Sequence, residues 1–187
     1  MRNKEPMPKS TTVLIIRHCE KPPTGTGLTV AGEERSQAYS IYFQNYLLDS
    51  KPIKLDFLFA AADTPESHRS RLTLEPLAHE LKLKIDNEHR DHQEIVEDIL
   101  EDDEYNHANV LIGWHHGDIL ALTADLGVVA SVLPPESNWP DVWPGEVFGW
   151  LMQIRYDERG QVIPTETFCI NQKLMFDDFG KDPPALA

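Results

Sequence analysis

The stretch Thr12-Val13-Leu14-Ile15-Ile16-Arg17-His18-Cys19-Glu20-Lys21 decides how the rest of the chain is read. An apolar, largely β-branched run stops abruptly at Arg17-His18. That is the pattern of a buried strand that delivers two polar side chains to the edge of a sheet. In α/β folds, ligand crevices form at the C-terminal ends of strands. An arginine beside a histidine suits a phosphate there. The guanidinium grips oxygens in a planar fork, and the imidazole can attack phosphorus or move a proton.

Outward from this strand the chain alternates. Thr29 reads as the N-cap of a helix over 30–48, with Tyr39, Phe43, Tyr46 and Leu47 on its apolar face. Leu55 to Ala61 read as a second strand. Pro65 suits the first turn of a helix running to Leu81. Leu83 to Ile85 form a short strand, and the acidic run Glu94 to Glu104 reads as a solvated helix with Ile95, Ile99 and Leu100 inward. Asn109 to Trp114 are a strand, followed by a helix over 118–125. Val147 to Tyr156 and Gln161 to Ile170 pair as a hairpin around Asp157-Glu158-Arg159-Gly160. This order predicts an α/β fold, a largely parallel sheet with helices on both faces. The segment Leu133 to Gly145 interrupts it with Pro134, Pro135, Pro140 and Pro144 around Trp139 and Trp143. Those indoles either wall a substrate pocket or pin a long loop to the core.

Four segments together resemble the histidine phosphatase superfamily. The strand ending in Arg17-His18 is similar to its Arg-His-Gly signature, with Cys19 in place of the glycine, as in members with an Arg-His-x-Glu-Lys run. Leu28-Thr29-Val30-Ala31-Gly32, with Arg35 and Ala38, is similar to its Leu-Thr-x-x-Gly helix start. Arg69-Ser70-Arg71-Leu72-Thr73 is similar to its Arg-Ala-x-x-Thr helix, and Val110 to His116 to its second strand ending in a histidine. The resemblance covers roughly the first two thirds of the chain. It implies a phosphoglycerate mutase-like three-layer α/β/α sandwich and no cofactor or metal. The activity it implies is a phosphatase that works through a phosphohistidine on His18, with Arg17, Arg69 and His116 as the phosphate pocket.

The residues suit that chemistry. Phosphoryl transfer needs an in-line nucleophile and cations or donors around the equatorial oxygens. A neutral imidazole can form a phosphohistidine, two guanidiniums supply fixed charge, and a second histidine can donate to a phosphate oxygen. Arg69 is preferred to Arg71 because it precedes Thr73 by the family's four residues; two further residues along a helix turn a side chain roughly 200° away. His115 and His116 are expected on opposite faces of a strand, with His116, next to Gly117, lining the site. Asp118 and Glu94 are the candidate proton donors to the leaving group. Lys21 is either a substrate-binding cation or a solvated loop lysine, and Cys19 either a redox-sensitive thiol or a buried, inert one.

Composition bounds the alternatives. At 187 residues the chain is expected to be one domain over 1–187, with 1–10 and 178–187 as flexible tails. That length buries roughly 70% of the unfolded surface, so no staple is needed. Two cysteines, Cys19 and Cys169, make no disulfide framework and fit a reducing, cytoplasmic setting. The first ten residues are polar, and neither a secretion signal nor a membrane span is expected. A net charge of −14 disfavours nucleic acid and anionic membranes as partners. It also requires a phosphate site to concentrate its cations locally. The expected partner is a phosphorylated small molecule or a phosphoprotein. Two other readings are a phospho-ligand binder without turnover and a metal site on His89 and His92 with Asp91 or Glu94. For the metal site, two further ligands are not evident.

Overall fold

The computed structural model describes residues 8–184. Its main sheet has six strands in the order β5-β4-β6-β1-β7-β8. These are β1 (Thr12–Arg17), β4 (Phe57–Ala60), β5 (Ile85–Asp86), β6 (Asn109–Trp114), β7 (Trp150–Arg155) and β8 (Phe168–Asn171). β5, β4, β6 and β1 run parallel, whereas β7 and β8 add antiparallel at the β1 side. The helices α1 (Val30–Gln44) and α2 (Arg69–Leu81) cover one face, and α3 (His92–Glu101) and α4 (His116–Asp125) cover the other.

Strand parity builds both cores. Leu14 and Ile16 of β1 and Leu111 of β6 face α1 and α2, where they meet Tyr39, Phe43, Leu74 and Leu77. Val13, Ile15, Val110, Ile112 and Trp114 face the other way, onto Ile95, Ile99, Ile119 and Leu122. Every residue of β1 is buried, as expected for a central strand covered on both faces.

The boundaries differ from the sequence reading where local chemistry prevails. Thr29 does cap α1, accepting from the Gly32 amide at 3.0 Å. The helix stops at Gln44, not at 48, because the chain turns into a small hairpin, β2 (Leu47–Leu48) and β3 (Lys51–Pro52). Asp49 and Ser50 both take positive φ in that turn, the conformation that matches hairpin twist. α2 begins at Arg69 rather than at Pro65 and carries Pro76 inside it. Proline removes the amide that would bond the Leu72 carbonyl. The Ser36 hydroxyl of α1 donates to that carbonyl at 3.2 Å instead, which locks the two helices together.

Of the flexible tails expected over 1–10 and 178–187, residues 1–7 and 185–187 fall outside the described residues. Lys9 and Ser10, however, bond to Asn106 and Asp157, and Asp178 is one of the buried charged residues. The segment after β8 is thus part of the packed molecule. No helix among the described residues is long and apolar enough to cross a membrane.

Candidate active site

The C-terminal ends of β1 and β6 lie side by side, with Arg17 paired to Trp114 in register. The next residues, His18 and His115, continue that pairing, and the His18 amide donates to the Trp114 carbonyl at 2.9 Å. Their rings meet edge-on, with centroids 5.5 Å apart. Of the adjacent pair, His115 is therefore the one whose ring packs against His18. The reason is parity: His115 stays extended as the N-cap of α4 and shares the side of Leu111 and Gly113. His116 is already the first residue of the helix, so strand alternation no longer governs it. Its Nε2 lies against Gly145, close to the charges of Arg17 and Lys21, at the rim of the same site. Parity was available from sequence, since His115 is two and four residues beyond Gly113 and Leu111.

His18 is 3% exposed. Its Nδ1 sits 2.8 Å from the Cys19 carbonyl, which can only accept. Nδ1 therefore carries the proton and Nε2 presents a lone pair. Burial, with the nearby Arg17, His115 and Arg69, depresses its pKa to about 3 against the raising effect of the Cys19 carbonyl. At neutral pH the ring is uncharged and nucleophilic. Burial likewise lowers the pKa of His115, with Arg69, Lys21 and Arg17 adding to it and Asp118 opposing.

The Thr73 spacing now has a mechanical meaning. The Cys19 amide donates to the Thr73 hydroxyl at 2.8 Å, and that hydroxyl donates to the Arg69 carbonyl at 2.8 Å. The loop after His18 is thereby latched to the first turn of α2, which carries Arg69. Arg69 donates to the carbonyls of Gly25 and Gly27 and lies near enough to His18 and His115 to influence both. Arg71 points to the surface, paired with Asp63 and Glu75. Cys19 is fully buried among Leu14, Ile16 and Tyr39, and burial pushes its thiol up to about 12, the environment of an inert cysteine.

Arg17 turns to the opposite side of β1, toward the Pro-rich segment. It is 1% exposed. Its Nη1 donates to the Gly145 and Val147 carbonyls at 2.6 and 3.0 Å, and its guanidinium lies 3.8 Å over the Phe148 ring. Its Nε has no partner, although it is buried. Burial lowers its pKa to about 10, so the group is charged at neutral pH and still owes a hydrogen bond to an acceptor. Trp139 and Trp143 pin the loop: both are buried in the core, and Trp143 Nε1 bonds the Val147 carbonyl at 2.9 Å. They hold in place the carbonyls and the ring that surround Arg17.

The remaining candidates divide. Asp118, exposed in the first turn of α4, is close enough to His115 and His116 to oppose their lowered pKa values. Glu94 bonds the Arg90 amide at 2.9 Å and so caps its own segment. Lys21 is exposed beside the histidines. His89 and His92 bond to different carboxylates, those of Asp98 and Asp125. No cluster of metal-ligating side chains occurs among the described residues. Sequence reasoning missed Phe148 and Asp178, because their contacts come from chain more than a hundred residues away from the signature.

No protein-family profile matches the chain, and no curated protein does. Solved structures do match. The protein histidine phosphatase SixA, solved with tungstate, superposes with a TM-score of 0.51 at 19% identity, over 84% of this chain and 96% of that one. The SixA of Agrobacterium tumefaciens, assigned as a phosphohistidine phosphatase, superposes with a TM-score of 0.53 at 16% identity, over 82% and 96%. Given this superposition and the sheet order, the chain has the fold of these SixA phosphatases.

Proposed function

We propose that the chain is a cofactor-independent phosphatase that hydrolyses a phosphomonoester or phosphoprotein through a phosphohistidine on His18. The observation that carries this reading is the state of His18: buried, neutral, with Nδ1 committed to the Cys19 carbonyl and Nε2 free. Nε2 attacks phosphorus, the bond from phosphorus to the leaving group breaks, and the leaving atom takes a proton. Asp118, beside His115 and His116 at the rim, is the proposed donor. Water then attacks the phosphohistidine and gives its proton back to the same carboxylate, and phosphate leaves.

Arg17 offers its unpartnered Nε to a phosphate oxygen, Arg69 offers the donors not used on Gly25 and Gly27, and His115 faces the transferring group beside His18. His116 and Lys21 contact the rest of the substrate at the rim. The SixA likeness favours phosphorylated proteins, phosphohistidine among them, as the substrate class. The two free, buried cysteines, Cys19 and Cys169, suit a reducing, cytoplasmic setting.

His18→Ala decides the matter. Turnover of a phosphomonoester should fall by at least about 3 kcal/mol in barrier, while binding of inorganic phosphate persists through the arginines. Wild-type protein quenched during turnover should carry an acid-labile phosphoryl group that the variant lacks, and a chelator should leave the rate unchanged. Full turnover by His18→Ala would refute the mechanism.

A further inference from the structure

One buried carboxylate beside the site has no role in the phosphoryl chemistry just described. Asp178, near the C-terminus, is 3% exposed. It accepts from Nη1 and Nη2 of Arg35, both at 2.8 Å. Arg35 is 1% exposed, and its other edge bonds Glu20, with Nε at 2.9 and 3.1 Å and Nη2 at 2.6 Å. Glu20 lies two residues past the nucleophile. We propose that Asp178 is a positioning residue for His18, acting through Arg35 on Glu20.

The path is short and covalently explicit. The Glu20 nitrogen and the Cys19 carbonyl belong to one peptide plane. That carbonyl is the group that fixes the His18 ring and its tautomer. Whatever holds Glu20 therefore holds the acceptor of the His18 proton. α1 presses on the same residue: a Cβ on Gly32 would come within 2.5 Å of the Glu20 carbonyl oxygen. Behind Asp178 the fit is as close, since a Cβ on Gly149 would lie 2.6 Å from its carboxylate. Gly149 follows Phe148, the ring under Arg17. The segment that presents Asp178 is fastened to the same wall, with Trp150 Nε1 donating to the Lys181 carbonyl at 2.6 Å. Both sides of the phosphate site thus meet at one carboxylate.

This inference rests on the phosphatase reading, and the test separates the two. Asp178→Asn keeps the shape against Gly149 and removes the charge. Its kcat on a phosphomonoester should fall by about 10- to 100-fold with KM within about threefold, because a small misplacement of a reacting group costs about that much. The imidazole nitrogen resonances of His18 should move in the same variant. Phe176→Ser, on the exposed side of the same segment, should change neither. Unaltered kcat with unmoved His18 resonances in folded Asp178→Asn would overturn the proposal, as would a loss confined to KM. If Asp178→Asn does not fold, Glu20→Gln probes the other end of the ion pair under the same criteria. If wild-type protein turns over no phosphomonoester and binds no inorganic phosphate, the phosphatase reading fails by itself, and the His18 resonances still judge the positioning.

Discussion

Arg17 and Arg35 are equally buried, yet their surroundings are opposites. Arg35 sits between two carboxylates. Burial alone would pull its pKa down, but the hydrogen bonds to Asp178 and Glu20 outweigh it and hold the value above that of an ordinary arginine. Arg17 faces carbonyls and an aromatic ring, keeps one buried N–H without an acceptor, and is pulled down to about 10. A buried cation is costly unless it is paired and hydrogen-bonded. At Arg35 the protein meets that requirement internally, so the group is structural. At Arg17 the requirement is left open, which fits its proposed role toward an anion from outside.

The comparison is broken most directly by exchanging each guanidinium for an apolar chain. Arg35→Met leaves the buried Asp178 carboxylate and the half-buried Glu20 without their partner and should cost about 3–5 kcal/mol of stability. Arg17→Met should change stability by no more than about 1 kcal/mol, because loss of two hydrogen bonds is offset by relief of an unpaired charge. Its turnover should fall by about 3 kcal/mol or more in barrier. Denaturant titrations and kinetics on both variants check this. Equal destabilisation by the two would erase the distinction.

Arg69 and Arg71 give a second contrast on one helix turn. Arg69→Ala removes the donor proposed for the transferring group and should raise the barrier by about 3–4 kcal/mol. Arg71 pairs with Asp63 and Glu75 near the surface. Arg71→Ala should shift stability by about 1 kcal/mol or less and leave turnover within several-fold. Lysine should rescue Arg69 poorly, since it lacks two parallel donors. Kinetics on the two alanine variants measure the difference, and a crippled Arg71→Ala would place the wrong face of α2 in the site.

A third, smaller effect concerns acid. The folded pKa of His18, about 3, lies below the ordinary histidine value. The unfolded chain therefore takes up the proton first, and stability falls as pH drops below about 6.5. Asp178 adds to this loss lower down. Burial would raise its pKa, yet the hydrogen bonds from Arg35 and Met175 leave it depressed. Its stabilisation is present above the ordinary carboxylate value and is lost as pH falls through the folded one. His18→Asn should flatten the fall of melting temperature between about pH 6.5 and 4, while the steep decline below remains. Calorimetry across that range tests it. An unchanged profile would mean that His18 is charged in the folded state.

How much was legible follows from the range of each interaction. The strand at Thr12 to Arg17, the Thr29 cap and the strand at Asn109 to Trp114 were readable because hydrophobic period and capping act between near neighbours, whereas the second hairpin arm, read as Gln161 to Ile170, is a strand only over Phe168–Asn171, after a 3-10 turn at Pro164–Glu166. Arg17 and His18 were legible as the end of an apolar strand, whereas Arg69 was singled out only by the family resemblance, inside a helix read from Pro65 that in fact begins at Arg69. His115 was within reach through strand parity, but the adjacent pair was assigned as though β6 continued through both. Helix α2 began late, and the hairpin of β2 and β3 was unforeseen, because short turns of Asp49 and Ser50 leave little trace in periodicity.

The amino-acid order by itself determined the layered α/β class, the buried central strand and the phosphate-suited residues at its end, since alternation and chain punctuation are local physics. Tertiary structure alone decided that β6 pairs beside β1, which loop supplies the carbonyls and ring around Arg17, and that Asp178 holds Arg35. Those choices depend on pairing register and on contacts spanning more than a hundred residues. Two arginines that look alike in sequence were told apart only by what the folded chain brings against them.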